Sequence, residues 1–315
     1  MKVFRGLPNA ASRAPCVLAI GNFDGLHRGH QMLLSQLAAA ARIRGINSAV
    51  MTFEPHPREF FALQNGDISQ APARIANLRD KLQALAGAGV DRVIVERFNA
   101  RFAALSPREF VEKILVEGLQ VKWLLVGEDF GYGANRAGNT DTLAAEGAAR
   151  GFEVATLPTV REGVERISSS VVREALHAGD FSRVAQLLGR PYAISGHVIH
   201  GRKLGRTLGF PTINLALPHR RPALSGIFVV QVHGLASKPL PGVASLGIRP
   251  TVEDSGRVLL ETHVFDYAQD CYGKLVQVEF LKKLRDEEKY ADLSALTAAI
   301  AEDSKQAQSY FQGRT

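Results

Sequence analysis

The run Cys16-Val17-Leu18-Ala19-Ile20 passes directly into Gly21-Asn22-Phe23-Asp24-Gly25-Leu26-His27-Arg28-Gly29-His30-Gln31. A short apolar run, a turn punctuated by glycines and a polar helix start form a strand–turn–helix unit, the building block of layered α/β architecture. A spacing of three predicts that His27 and His30 share one face of the first helical turn. The free backbone N–H groups and positive dipole end of that turn make it an anion site. Two imidazoles aimed at it suit the charge that develops in phosphoryl or nucleotidyl transfer.

The following segments repeat the grammar. Residues 17–20, 48–53, 90–96, 123–127 and 152–157 read as strands, with helix patterns over 30–44, 75–86, 107–116 and 139–150 between them. Ser106 followed by Pro107 reads as an N-cap and N1 proline. This alternation predicts a Rossmann-like parallel sheet with ligands at the carboxyl ends of the strands. After a helix pattern over 168–188, Gly189-Arg190-Pro191 breaks the chain and the pattern becomes β: 192–200, 226–233, 242–247, 258–265 and 275–284. A last helix pattern covers 286–310. Several spaced strands of this kind predict a small barrel or sandwich closed by a C-terminal helix. We therefore expect two domains, 1–186 and 187–315.

Charge and cysteine usage narrow the partners. The formal net charge of +7 favours anionic ligands, nucleotide phosphates as much as RNA. No run of about 18 apolar residues predicts a transmembrane helix, and the N-terminus lacks the apolar stretch of a signal peptide. Two cysteines, Cys16 and Cys271, are too few for a disulfide framework or a zinc site. These features predict a cytoplasmic protein.

Three further segments follow predicted strands or open a helix. The segment 52–58 offers the hydroxyl of Thr52, the imidazole of His56 and the guanidinium of Arg58 on a loop stiffened by Pro55 and Pro57. In 127–133, glycines permit close backbone approach to a ligand, and Asp129 can accept a hydrogen bond from a base or ribose. The run Arg166-Ile167-Ser168-Ser169-Ser170-Val171-Val172-Arg173 combines hydroxyls, a helix start and two arginines, a phosphate-binding arrangement that serves equally as a redundant N-cap.

Together these four segments resemble the adenylyltransferase half of bacterial bifunctional riboflavin kinase/FAD synthetases, nucleotidyltransferases with an HxGH-type signature. The resemblance implies ATP + FMN → FAD + pyrophosphate, by in-line attack of the FMN phosphate on the α-phosphorus. It places His27 and His30 on the ATP phosphates, with Gly21, Asn22, Phe23, Asp24 and Gly25 beside them. Ser168, Ser169 and Arg173 take the leaving pyrophosphate, and His56, Pro57, Arg58 and Asp129 the flavin. Ser170 stands where the family often has Thr, which keeps the hydroxyl.

The second half extends the resemblance over nearly the whole chain. Residues 200–215 join a glycine- and cation-rich loop (Gly201, Lys203, Gly205, Arg206, Gly209) to Pro211-Thr212-Ile213-Asn214. Thr212 and Asn214 alternate by two and so face one side of a strand. A hydroxyl and an amide oxygen are hard donors suited to Mg²⁺ completed by ATP phosphates and water. The segment resembles the riboflavin kinase signature, with Ile213 for the usual Ala. Residues 242–251 match a second family segment, with Ser245 where Asn is commoner. The resemblance makes Glu261 the general base for the 5′-hydroxyl of riboflavin, an alcohol that needs one. Thr212 and Asn214 hold Mg²⁺ (or Mn²⁺), the glycine-rich loop binds ATP, and Arg285 lies near the flavin. Riboflavin, FMN, FAD and ATP are the implied ligands, with no nucleic-acid or membrane partner. A nucleotidyltransferase acting on another phosphorylated acceptor would not explain the kinase-like half. An RNA-binding reading lacks interleaved aromatic residues for base stacking.

Overall fold

A computed structural model describes residues 1–158, 161–162, 165–201, 205, 208–219, 221–248 and 258–313. It divides into two compact units, Met1–Pro72 with Lys81–Ser168, and Ala73–Asp80 with Ser169–Thr315.

The first unit is built on six parallel strands: β1 (Lys2–Arg5), β2 (Cys16–Ile20), β3 (Asn47–Glu54), β4 (Arg92–Arg97), β5 (Val121–Gly127) and β6 (Glu153–Leu157). Their order is β1-β4-β3-β2-β5-β6. Between them run α1 (Arg28–Arg44), α2 (Pro57–Gln64), α3 (Leu78–Gly87), α4 (Ala100–Ala103), α5 (Pro107–Glu109) and α6 (Thr140–Arg150). The division between units falls within α3. A two-stranded ribbon, β7 (Arg161–Glu162) with β8 (Glu165–Arg166), follows β6.

Strand β2 has parallel neighbours on both edges, and all five of its residues are buried. That burial is why its sequence is continuously apolar rather than alternating. Helix α1 packs on β2 and β3, with Leu33, Leu34 and Leu37 buried. Each such leucine contributes about 1.5–3 kcal/mol by leaving water. Strand order reverses at β2, with β3 on one side and β5 on the other, so its carboxyl end is the topological switch point.

Three local expectations change. Residues 2–5 form an edge strand on β4. The 52–58 loop ends in a helix, because Pro57 occupies N1 and the His56 side chain caps it. The helix expected over 107–116 holds an α turn only to Glu109. It then runs as a π-helix from Phe110 to Gly118, where a Cβ on Gly118 would lie 2.8 Å from the Lys113 carbonyl oxygen.

The second unit holds α7 (Ser169–Ala178), α8 (Phe181–Leu188), six antiparallel strands and α9 (Leu293–Gln312). The strands are β9 (Ala193–His197), β10 (Thr212–Leu217), β11 (Gly226–His233), β12 (Leu240–Ile248), β13 (Val258–Val264) and β14 (Leu275–Arg285). Their order β10-β13-β12-β11-β14-β9 is brought round by an antiparallel bridge between Ile199 and Asn214, giving a nearly closed barrel. Alternation sends Ile213, Leu215, Leu260, Thr262, Ala244 and Leu246 to the buried face. Phe181 of α8 lies against Phe228 and Phe280, at 5.9 and 6.0 Å between ring centroids.

The single helix pattern over 168–188 is two helices, broken at Gly179 (φ 73°), with Asp180 capping α8. The last helix begins at Leu293, capped by Asp292, because β14 extends through Arg285. The segment 73–80 belongs to this unit: the Tyr192 hydroxyl donates to the Ile75 carbonyl (2.9 Å) and Asn77 Nδ2 to the Ser195 carbonyl (2.9 Å). Among the described residues no helix is long and apolar enough to cross a membrane.

Candidate functional site

In the first unit the chain leaves β2 through a turn in which Phe23, Gly25 and Leu26 all have positive φ (48°, 80° and 46°). This folds Phe23, Asp24 and Leu26 into the interior and presents His27 as the N-cap of α1. Sequence spacing placed both histidines inside the first turn; here His27 precedes it. Its Nδ1 accepts from the His30 backbone N–H at 3.4 Å. The pair still meets, because the two rings stack with centroids 3.8 Å apart and an interplanar angle of 19°. Gly29 makes this possible: a Cβ there would sit 3.1 Å from His27 Nδ1 and 3.3 Å from the Ile167 carbonyl oxygen. The absent side chain thus lets the backbone just before Ser168 approach the helix start.

His30 Nδ1 is buried with no hydrogen-bond partner among the described residues. Burial, then the neighbouring His27, then the charge of Lys81 hold the His30 imidazole well below its ordinary pKa, so it is neutral at neutral pH. Lys81 itself is buried, and its Nζ donates to Thr52 Oγ1 at 3.3 Å. The Thr52 hydroxyl donates in turn to the Asn22 carbonyl at 3.1 Å. Asn22 Oδ1 is a second buried atom without a partner among the described residues. The arrangement is a preorganised anion cradle: amide donors, two imidazoles and a fixed ammonium.

The residues expected to hold the flavin follow strand ends of the same unit. His56 is buried and its Nδ1 accepts from the Arg58 N–H at 3.1 Å, while Pro57 starts α2 and Arg58 is exposed. Beside them stands an aromatic group that sequence reasoning missed. Phe98 lies 5.4–5.8 Å from Phe53, Phe60, Phe61 and Phe102, and Phe61 is 46% exposed. Such a partly exposed aromatic wall fits a planar ring ligand. Asp129 is exposed after β5, 3.2 Å from Arg166 Nη2, and its carbonyl accepts from Arg136. Ser168 closes the first unit. Ser169 and Arg173 belong to the second, where Arg173 Nε donates to the Ala73 carbonyl at 2.5 Å.

In the second unit the site lies on the face of β10, β13 and β12 opposite the packed interior. Asn214 stands across from Glu261 and Thr212 across from His263, and Ser245 is the other neighbour of Glu261. His263 Nδ1 lies 2.8 Å from the Pro211 carbonyl. Asn214 is buried, and its Oδ1 has no hydrogen-bond partner among the described residues. Gly201 admits that amide: a Cβ there would lie 2.8 Å from Asn214 Oδ1 and 2.6 Å from its Nδ2. Gly205 and Gly209 (φ 88°) shape the rest of the loop, whose Lys203 and Arg206 lie outside the described residues.

Two further charged residues stand at the end of β14 and just beyond it. Arg285 is held by Asp303 of α9 through a bidentate pair (2.8 and 2.6 Å), which commits much of its guanidinium to tying the helix to β14. The Glu287 carboxyl packs where a Cβ on Gly247 would stand. Burial and the nearby Glu261 charge push it up. Among the described residues there is no cluster of three or more His, Cys, Asp or Glu able to hold a metal. Any cation here would be held by hydroxyl, amide and phosphate oxygens.

Comparison with known proteins gives a consistent picture. A family model described as FAD synthetase matches residues 9–171, and one described as riboflavin kinase matches 188–311. A bifunctional riboflavin kinase/FMN adenylyltransferase of Escherichia coli K12 is 47% identical over 314 residues, covering 99% of this chain and 98% of that protein. One from Pseudomonas fluorescens is 46% identical, covering 96% of each. A crystal structure described as a macrolide-efflux protein from Streptococcus pneumoniae superposes with a TM-score of 0.71 at 28% identity, covering 96% of both chains.

Proposed function

The chain belongs to the family of bifunctional riboflavin kinases/FMN adenylyltransferases, and we propose how its residues divide the two reactions. It phosphorylates riboflavin with ATP to give FMN, and it adenylylates FMN with a second ATP to give FAD and pyrophosphate. Residues 1–186 are assigned to adenylyl transfer and 187–315 to the kinase.

For adenylyl transfer the carrying observation is the stacked His27–His30 pair on the N-terminus of α1, at the end of the central strand. An ionised FMN phosphate is already nucleophilic, so this site needs no strong base. Its task is to align the phosphates and meet the charge that spreads over the α-phosphate as the bond to pyrophosphate breaks. His27, His30 and the amides of residues 21–25 do this. His56, Pro57, Arg58 and Asp129 hold the flavin, against the Phe53–Phe102 aromatic group. The 168–173 segment is assigned to pyrophosphate on its sequence alone.

In the kinase site, Glu261 takes the proton of the ribityl 5′-hydroxyl as that oxygen attacks the γ-phosphorus of ATP, whose bond to the bridging oxygen breaks to release ADP. The loop carrying Gly201, Lys203, Gly205, Arg206 and Gly209 receives the phosphates. Arg285 braces the flavin side through Asp303. A buried amide oxygen without a partner among the described residues, beside a hydroxyl on the same strand face, fits a hard divalent cation. Thr212 and Asn214 would hold it as Mg²⁺ or Mn²⁺. When bound, the cation neutralises charge on the transferred phosphoryl group. The reading places the enzyme among free flavins and nucleotides in the cytoplasm, with no nucleic-acid or membrane partner.

The direct test is product analysis. Purified protein given riboflavin, ATP and Mg²⁺ accumulates FMN first and then FAD on chromatography; absence of any flavin product overturns the assignment. A sharper test uses Gly201→Ala. The added methyl displaces the Asn214 amide, so FMN formation falls about tenfold or more, with a higher Mg²⁺ requirement, while FMN-to-FAD conversion is unchanged. An unaltered Mg²⁺ requirement removes Asn214 from the cation site.

A further inference from the structure

Helix α3 carries a residue that hydrophobic packing does not explain. Its buried residues are Lys81 and Leu85, and Lys81 is only 2% exposed. A leucine would fill that position without the several kcal/mol that burying an ammonium costs. Lysine persists in interiors where its charge has a use. The ammonium reaches Thr52, Thr52 reaches the Asn22 carbonyl, and Asn22 opens the turn that carries both histidines. The groups whose charge bears on His30 are His27 at the N-cap of α1 and Lys81 from α3, with Asp24 buried in the same turn.

We propose that Lys81 is a positioning residue for adenylyl transfer, bracing the 21–30 turn through Thr52 and supplying a fixed positive charge beside the stacked histidines. This rests on the assignment of that turn to ATP. Lys81 acts in two ways. Its hydrogen-bond chain holds the backbone of Asn22 in place, so the amides ahead of α1 stay aimed at the phosphates. Its charge adds to burial and to the neighbouring His27 in keeping His30 neutral, with one ring N–H to donate to the phosphates. The positive potential is then in place before the reaction rather than assembled during it.

The experiment compares full-length Lys81→Met, Lys81→Arg and Thr52→Val. It reads kcat and KM for FAD formation from FMN across pH, with riboflavin phosphorylation by the same preparation as the folding control. Lys81→Met is expected to lower kcat for FAD about tenfold or more with FMN formation retained. Loss of the lysine charge lets His30 bind a proton more readily, so the acid limb of the kcat profile moves to higher pH. Lys81→Arg restores the limb to its original position. A wild-type kcat and an unmoved limb in Lys81→Met overturn the proposal. So does an unmoved limb with Met and Arg equally impaired, which is a packing defect alone. Should Lys81→Met lose both activities, Thr52→Val decides: a several-fold fall in kcat with the kinase intact supports the brace, and an unchanged kcat refutes it. Failure of the wild-type chain to make FAD overturns the parent assignment instead.

Discussion

With His27 and His30 both changed to alanine, the enzyme given riboflavin, ATP and Mg²⁺ stops at FMN. Each imidazole is aimed at the same anion cradle, and removing one preorganised donor from such a site typically costs about 10²–10³ in kcat. Losing both therefore reduces FAD formation by about 10³-fold or more, below chromatographic detection in an ordinary assay. The kinase rate is expected to be retained, because the groups proposed for phosphorylation stand on β10 and β13 of the barrel. His27 also caps α1, so its loss costs about 1 kcal/mol of helix stability in addition. The single variants separate the effects. His30→Ala leaves the cap acceptor on His27 in place, and its loss of FAD synthesis reports chemistry rather than fraying. A double variant that makes FAD at the wild-type rate would remove the histidines from the mechanism.

The histidines were legible because several independent signals meet in a few residues. A central parallel strand is continuously apolar, the turn after it needs glycine where φ is positive, and the helix start is polar. Their roles were less legible. Spacing alone cannot say that His27 stops one residue short of the helix, since that depends on the left-handed backbone of Phe23 and Leu26. Lys81 left a readable trace, a lysine four residues before Leu85 on one helix face, but its place beside Thr52 of β3 depends on how the helix meets the sheet. The same limit applies to segment 73–80. Its attachment to the barrel runs through the carbonyls of Ile75 and Ser195, groups every residue carries. The Arg285 guanidinium was visible as a charge, whereas its tie to Asp303 required the closing helix to be docked. Period-two alternation did reveal that Thr212 and Asn214 share a face. Which carboxylate stands opposite is set by strand register, and that cannot be read from either strand alone.

That register supports the second large effect. Glu261→Ala is expected to abolish riboflavin phosphorylation while leaving FMN-to-FAD conversion at its normal rate. Glu261 pairs with Asn214 on the neighbouring strand, so the proposed proton acceptor and the proposed cation-binding amide stand at the Cβ separation of about 5 Å typical of such pairs. General-base catalysis at an alcohol is worth about 10²–10⁴-fold, and that is the loss to be read in FMN formation. Glu261→Gln keeps the shape and removes the basicity. It should fall as far as alanine while binding riboflavin with unchanged affinity, measurable by quenching of flavin fluorescence. Supplied FMN bypasses the defect, because its phosphate is already ionised and the first unit requires no base. The two substrates therefore report on two sites in one preparation. Equal loss of both activities in a folded Glu261→Gln protein would contradict the division of labour, whereas retention of kinase activity would move the base elsewhere on the β10–β13–β12 face, with the Glu287 carboxyl beside it as the next group to test.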